Sequence, residues 1–308
     1  MVAAVRVALM IEGQEGVTWE QWVALARACE DAGFEGLFRS DHYSGLRAPG
    51  GSLDAWATLS ALAVITDRIQ LGSLVSPATF RHPSVLARMV STASHISGGR
   101  IELGFGAGWY EADHVEHGFP FPPVGERIAL FAEQLEIIRL SWQGEPFDFA
   151  GERYELRGAH PQPTPLGKVN VIVGGSAKPG TVGPAVRFAD EYNTAFVSPQ
   201  DAAARRTAVD EACARAGREP LTFSLMTGCA VGEDRAALAR RLKRLDALAG
   251  VHGLPDPDTV IHGTVAEALE RLREYADAGV ERVMLQHLLP DDLEMVELIG
   301  REIIPQLS

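Results

Sequence analysis

Cysteine is scarce in this chain: Cys29, Cys213 and Cys229 lie far apart, are odd in number and form no CxxC pair. That spacing implies neither a disulfide framework nor a zinc site, and it suits a reducing cytosol. No apolar stretch reaches the roughly 20 residues that a membrane-spanning helix needs. The opening residues, Met1 to Arg6, lack a basic head followed by a long apolar run. No signal peptide is therefore expected, and the protein is placed in the cytoplasm. Positive charge is outnumbered, with 28 Lys and Arg against 41 Asp and Glu, a net charge of −13. Such a field repels nucleic acid and anionic membranes, so neither is expected as a partner. Any anionic ligand must be held by local features. There is no internal repeat, low-complexity tract or domain linker, and no GxSxG elbow to support a hydrolase triad of that type.

What the chain does have is 46% apolar residues over a length of 308. That length is long for most domains but ordinary for an α/β barrel. Short β-rich apolar runs alternate with longer helical patterns. Strands are expected at Val5–Ile11, Gly36–Ser40, Ile69–Val75, Ile101–Gly106, Asn170–Gly174, Tyr192–Phe196, Leu221–Met226 and Arg282–His287. Between the first two lies a helix with Thr18 as N-cap, ending at Gly33. Strand alternating with helix implies parallel βαβ units. Eight such units predict a closed (β/α)8 TIM barrel, read as one domain over 1–308, with insertions after strands four and seven. The first insertion holds a helix near 125–142 and a Pro-rich hairpin and loop near 146–165.

Ligands of such barrels sit at the C-terminal ends of the strands. That rule selects Glu12 after strand one, Asp41 and His42 after strand two, and Ser73 to Thr79 after strand three. It also selects Gly106 to Glu111, Gly174-Gly175-Ser176, and His287 at the end of strand eight. A His above the mouth can move a proton near neutral pH, although an Asp-His pair can also be a loop cap beside a surface imidazole. Gly174-Gly175-Ser176 leads to a helix expected at about Thr181 to Ala189. Backbone N–H groups there could hold a phosphate, or the glycines could form an ordinary turn. Gly104 to Trp109 lacks the register of a dinucleotide fingerprint, so a Rossmann reading is rejected. Its glycines instead leave space for a flat ring, with Trp109 stacking on it or walling it. His114 and His117 have ligand-like spacing, but the charged run from Glu111 to His117 reads as a solvated rim helix and no metal is assigned.

Taken together, these stretches resemble the luciferase-like monooxygenase family, in the class that uses coenzyme F420. The resemblance rests on Ala8 to Gly13, Phe38 to Tyr43, Leu71 to Pro83, Ser97 to Tyr110, Gly118 to Pro123, Gly125 to Arg127, Val173 to Gly175 and Arg187 to Asn193. It is strongest over the first two-thirds of the chain, and is similar there to actinobacterial oxidoreductases of unassigned substrate. It implies a deazaflavin ring lying across the barrel mouth, with Asp41 and His42 near its reacting edge. It implies that Gly174, Gly175 and Ser176 hold the cofactor phosphate, and that Gly106, Ala107, Gly108 and Trp109 border the ring. Ser73, Leu74 and Val75 would back the ring, with a non-proline cis peptide at Leu74–Val75. Glu12 matches an acidic position and would serve as proton donor.

The sequence departs from the sugar-phosphate dehydrogenases of that family. Trp109 stands where they carry an acid, Leu46 stands where they carry a Trp, and no Lys/Arg set for a substrate phosphate is evident. The reading is therefore F420-dependent hydride transfer with an unidentified small organic substrate, with His42 and Glu12 as catalytic residues. The alternatives are an FMN-dependent monooxygenase on the same barrel and a non-catalytic flavin-binding protein. A homodimer is what the family habit implies.

Overall fold

A computed structural model describes residues 5–46, 51–248 and 256–307. Eight parallel strands close on themselves in the order β1 (Arg6–Ile11), β2 (Gly36–Arg39), β3 (Gln70–Pro77), β4 (Ile101–Gly106), β7 (Val171–Gly174), β8 (Glu191–Ala195), β9 (Thr222–Gly232) and β11 (Arg282–Gln286). The pairing of β11 with β1, from Arg6 opposite Arg282 to Met10 opposite Gln286, completes the ring. The chain is thus a (β/α)8 barrel.

Both insertions are where they are expected. After β4 come α4 (Glu111–His117), α5 (Val124–Ser141) and an antiparallel hairpin of β5 (Phe147–Ala150) and β6 (Glu155–Ala159). After β9 come α8 (Arg235–Leu248) and β10 (Ile261–Thr264), ahead of α9 (Val265–Asp277). Strand β9 runs past Met226, the expected end. Its far half, Cys229 to Gly232, pairs with β10 outside the barrel, which satisfies backbone groups that would otherwise be orphaned.

Local chemistry accounts for the helix ends. Thr18 and Gln21 form a reciprocal capping box on α1 (Trp19–Asp31), and Gly33 supplies the left-handed turn behind it with φ of 80°. Helix α6 (Pro179–Phe188) starts two residues earlier than Thr181. Pro179 occupies its first turn, where a missing N–H costs nothing.

Strand periodicity divides the core in two. Along β1, Val7, Leu9 and Ile11 face outward to the main core shared with the helices. Ala8 and Met10 face inward, with Phe38, Leu74, Ile172 and Met284, and fill the barrel. At the N-terminal end of the barrel the filling is ionic. Arg282 is fully buried there and reaches both oxygens of Glu102, at 2.7 and 3.0 Å, and Glu191 at 3.1 Å. Glu35 stands 2.7 Å from its Nε, out of line for a hydrogen bond. Asn170 donates to both Glu102 and Glu191. Burial pushes Glu191 up, as does the neighbouring Glu102 carboxylate, against the pull of Arg282.

Candidate active site

A cavity of about 770 Å³ opens at the C-terminal ends of the strands. The layered filling beneath it brings the strand ends, where barrels of this kind take their ligands, to this mouth. Glu12, His42, Leu74, Val75, Gly106, Ala107, Gly108, Trp109, Gly174, Gly175 and Ser176 all line it. Asp41 and Ser73 do not. Asp41 is buried in the wall, accepting from Ser76 at 2.6 Å and from Arg81 at 2.6 and 3.2 Å. Arg81 in turn reaches Asp54, and Ser76 accepts from the Trp56 indole. Asp41 thus ties the loop after β2 to β3 and to α2 (Ala55–Ile65). The Ser73 hydroxyl donates to the Gly104 carbonyl and stays inside the sheet.

His42 is held by a residue that the charge pattern concealed. Its Nδ1 lies 2.5 Å from Asp113 Oδ2. The other Asp113 oxygen accepts the backbone N–H groups of Tyr43 and Ser44, at 3.0 and 2.7 Å. Asp113 and His114 are buried, although the rest of α4 is largely exposed as a rim helix should be. The His114 nitrogens are occupied by the Tyr110 carbonyl and the Thr79 hydroxyl. Burial pulls the His42 pKa down, but the Asp113 hydrogen bond and the charges of Glu12, Asp113 and Asp41 more than offset it. The imidazole therefore stays protonated to a higher pH than an ordinary histidine. Asp113→Asn should lower the pH at which His42 loses its proton, followed by the imidazole resonances in NMR. An unmoved titration would show that the pair is not electrically linked.

Glu12 sits in a second polar network. Its oxygens accept from Gln286 at 2.5 Å and from Gln14 at 2.9 Å. Gln14 accepts from the Ser40 hydroxyl, which itself accepts the Gly13 N–H. Gln286 Oε1 is buried in the cavity wall with no partner. Its neighbour His287 points the other way, as period-two alternation demands, and lines a separate chamber.

Glycines shape the floor. A Cβ on Gly104 would stand 2.1 Å from the Ser73 carbonyl oxygen, and one on Gly106 would stand 2.9 Å from the Val75 side chain. The Leu74–Val75 peptide is cis, and the pairing of β3 with β4 shifts register between Ser73 and Ser76. Trp109, 64% exposed, stands at the rim with its ring edge-on to His42 at 5.8 Å.

At the far corner, a Cβ on Gly175 would meet the Tyr192 hydroxyl at 2.4 Å and Thr181 Oγ1 at 2.5 Å. The Gly175 N–H is already spent on the Asn193 carbonyl, and that of Ala177 on Tyr192. Arg205, on α7 (Pro199–Arg215), lines the cavity here, bonds Thr194 at 2.6 Å and is felt electrostatically by Tyr192. It is the one Arg or Lys among the described lining residues.

The sequence model of the luciferase-like monooxygenase family matches residues 1–292. The chain belongs to this family. Among its relatives, an F420-dependent glucose-6-phosphate dehydrogenase of Nakamurella multipartita is 31% identical over 288 residues, covering 91% of this chain and 77% of that protein. A second enzyme of that description, from Rhodococcus erythropolis, is 28% identical, covering 92% and 93%. The solved coenzyme F420 dependent tetrahydromethanopterin reductase from Methanopyrus kandleri superposes with a TM-score of 0.83 at 21% identity, over all of both chains. This likeness shows the shared barrel of the luciferase-like fold.

Proposed function

We infer that this luciferase-like chain is an F420-dependent oxidoreductase that transfers a hydride between the deazaflavin and a small organic substrate. The observation that carries the reading is the His42–Asp113 pair facing a glycine-floored cavity, in a chain that has F420-dependent dehydrogenases among its curated relatives. The residues present suit such a cofactor. Bare glycine backbone leaves room for a planar ring, Gln286 Oε1 is an unused acceptor in the wall, and Arg205 offers one cation to a phosphate beside Ser176.

The chemistry a bound deazaflavin supplies is two-electron hydride transfer at one ring carbon. Leu74 and Val75 back the ring site, and Gly174, Gly175 and Ser176 with Arg205 border the phosphate corner. Asp113 orients the His42 ring and holds its Nδ1 side, so proton exchange with substrate takes place at Nε2. Glu12, gripped by two amides, is the second group able to move a proton. With Arg205 committed to the corner, the cavity offers no further Arg or Lys among its described residues. That supports a neutral substrate over a sugar phosphate.

The family resemblance supports a homodimer, and the buried, free Cys29, Cys213 and Cys229 suit a reducing cytoplasm. The absence of a linker supports one domain over the whole chain. Among the described residues, no helix is long and apolar enough to cross a membrane.

Titration with both cofactors, read by fluorescence, tests the assignment. F420 should bind at least about tenfold more tightly than FMN, a difference of about 1.4 kcal/mol. Equal affinity, or oxygen-dependent turnover with reduced FMN, would favour the monooxygenase instead.

A further inference from the structure

Beside the cofactor cavity lies a second chamber of about 470 Å³, within the usual size range of small-molecule sites. Glu12 lines both, so this one side chain is their common wall. The second chamber is otherwise built from the outward end of β1, the end of α8 and the loop after β11. Its walls are mainly aliphatic: Ile11, Val17, Leu248, Leu288 and Leu289. Arg244 and Asp291 also line it and close on each other as an ion pair at 2.6 Å.

One polar group in this apolar wall is unexplained by the fold. His287 is 1% exposed, and neither of its ring nitrogens makes a hydrogen bond of normal geometry. Burial holds its pKa down to about 4, the nearby Asp292 backbone and carboxylate only partly opposing it. The imidazole is therefore neutral at physiological pH and carries one donor and one acceptor. The Asp292 backbone is only a poorly aligned partner, so the buried ring is short of hydrogen bonds, a cost in free energy that a matching ligand would recover. A hydroxyl group, donor and acceptor at once, is the complement. A charged group is not, because the chamber offers no unpaired cation among its described residues, and Glu12 stands in its wall.

We propose that this chamber is a substrate subsite that holds the aliphatic part of a neutral molecule, anchored by a hydroxyl on His287. It rests on the reading of the neighbouring cavity as the cofactor site, and it gives Glu12 a place at the junction of the two ligands. Substrates would then be neutral, hydroxyl-bearing and apolar over a length of several carbons.

The test uses the full-length protein with 1-hexanol and hexanoate as probes, titrated by saturation-transfer NMR with and without F420. Saturable binding of 1-hexanol in both states, with hexanoate at least about tenfold weaker, is expected. Ala247→Trp fills the chamber from an exposed position on α8 that the core does not depend on. It should weaken hexanol binding by about tenfold while F420 affinity stays unchanged. His287→Phe keeps the apolar bulk and should lose the preference for hexanol over 1-chlorohexane. Absence of saturable hexanol binding in a protein that binds F420, or binding indifferent to Ala247→Trp, overturns the subsite alone. Hexanol binding without any F420 binding overturns the cofactor reading and, with it, the chamber's assignment to a substrate.

Discussion

Replacing His42 with alanine is expected to slow turnover by about 100-fold or more while leaving cofactor affinity nearly unchanged. The size follows from what is lost. Among the described lining residues, His42 is the only imidazole that keeps a nitrogen free of protein partners, because both nitrogens of His114 are taken. Its Nδ1 is tied to Asp113, which is itself fixed by two backbone N–H groups, so the ring is preorganised and little reorganisation remains for the reaction. Cofactor affinity should hold because the proposed phosphate corner at Gly174 to Ser176 and Arg205 is built from other elements, the end of β7 and α7. Single-turnover kinetics separate the two effects. A variant with an unaltered hydride-transfer rate would return His42 to a merely structural role.

The second large effect concerns stability. Arg282→Met should destabilise the fold by about 3–5 kcal/mol, the usual cost of removing one partner from a buried ionic cluster. The carboxylates of Glu102 and Glu191 would remain, nearly without water, and would lose the guanidinium that reaches both. The Phe38 ring, 4.7 Å from the guanidinium, would lose its cation as well. Denaturant midpoints measure this. Converting Glu102 and Glu191 to leucine alongside Arg282→Met should recover a substantial part of the loss, since an apolar filling strands no charge. A single variant within about 1 kcal/mol of the parent would mean that water already reaches the cluster.

The barrel was legible because its strands are buried on both faces and read as short, nearly continuous apolar runs separated by helical patterns. The glycine stretches and His42 were legible because the architecture itself says that strand ends meet at the mouth. Asp113 was not. The run from Glu111 to His117 is acidic or histidine at most positions, and a helix this short shows no period that could single out two buried neighbours. Its burial comes from the loop after β2 folding over it, a contact 71 residues away in sequence. Arg205 was hidden in the same way, inside a polar helix whose solvated face looks no different from the face over the cavity. Asp41 carried the right residue type in the right place, but its carboxylate turns into the wall toward Arg81, whose position no local pattern reveals. The choice between Gln286 and His287 was within reach. Met284 fills the barrel interior, so two residues on Gln286 must face the cavity and His287 must face away.

Strand β11 carries Arg282 at one end and Gln286 at the other, about 13 Å apart at 3.3 Å per residue. Strand β4 likewise carries Glu102 below and Gly106 above. The layer of Ala8, Met10, Phe38, Ile172 and Met284 lies between them. Durability and chemistry thus have different addresses on the same strands, with an inert plug as insulation. Free-energy changes made at the two ends should simply add. A lineage drifting toward a new substrate can rework the mouth without renegotiating what keeps the barrel shut, and heat tolerance can be raised from below without disturbing what happens above.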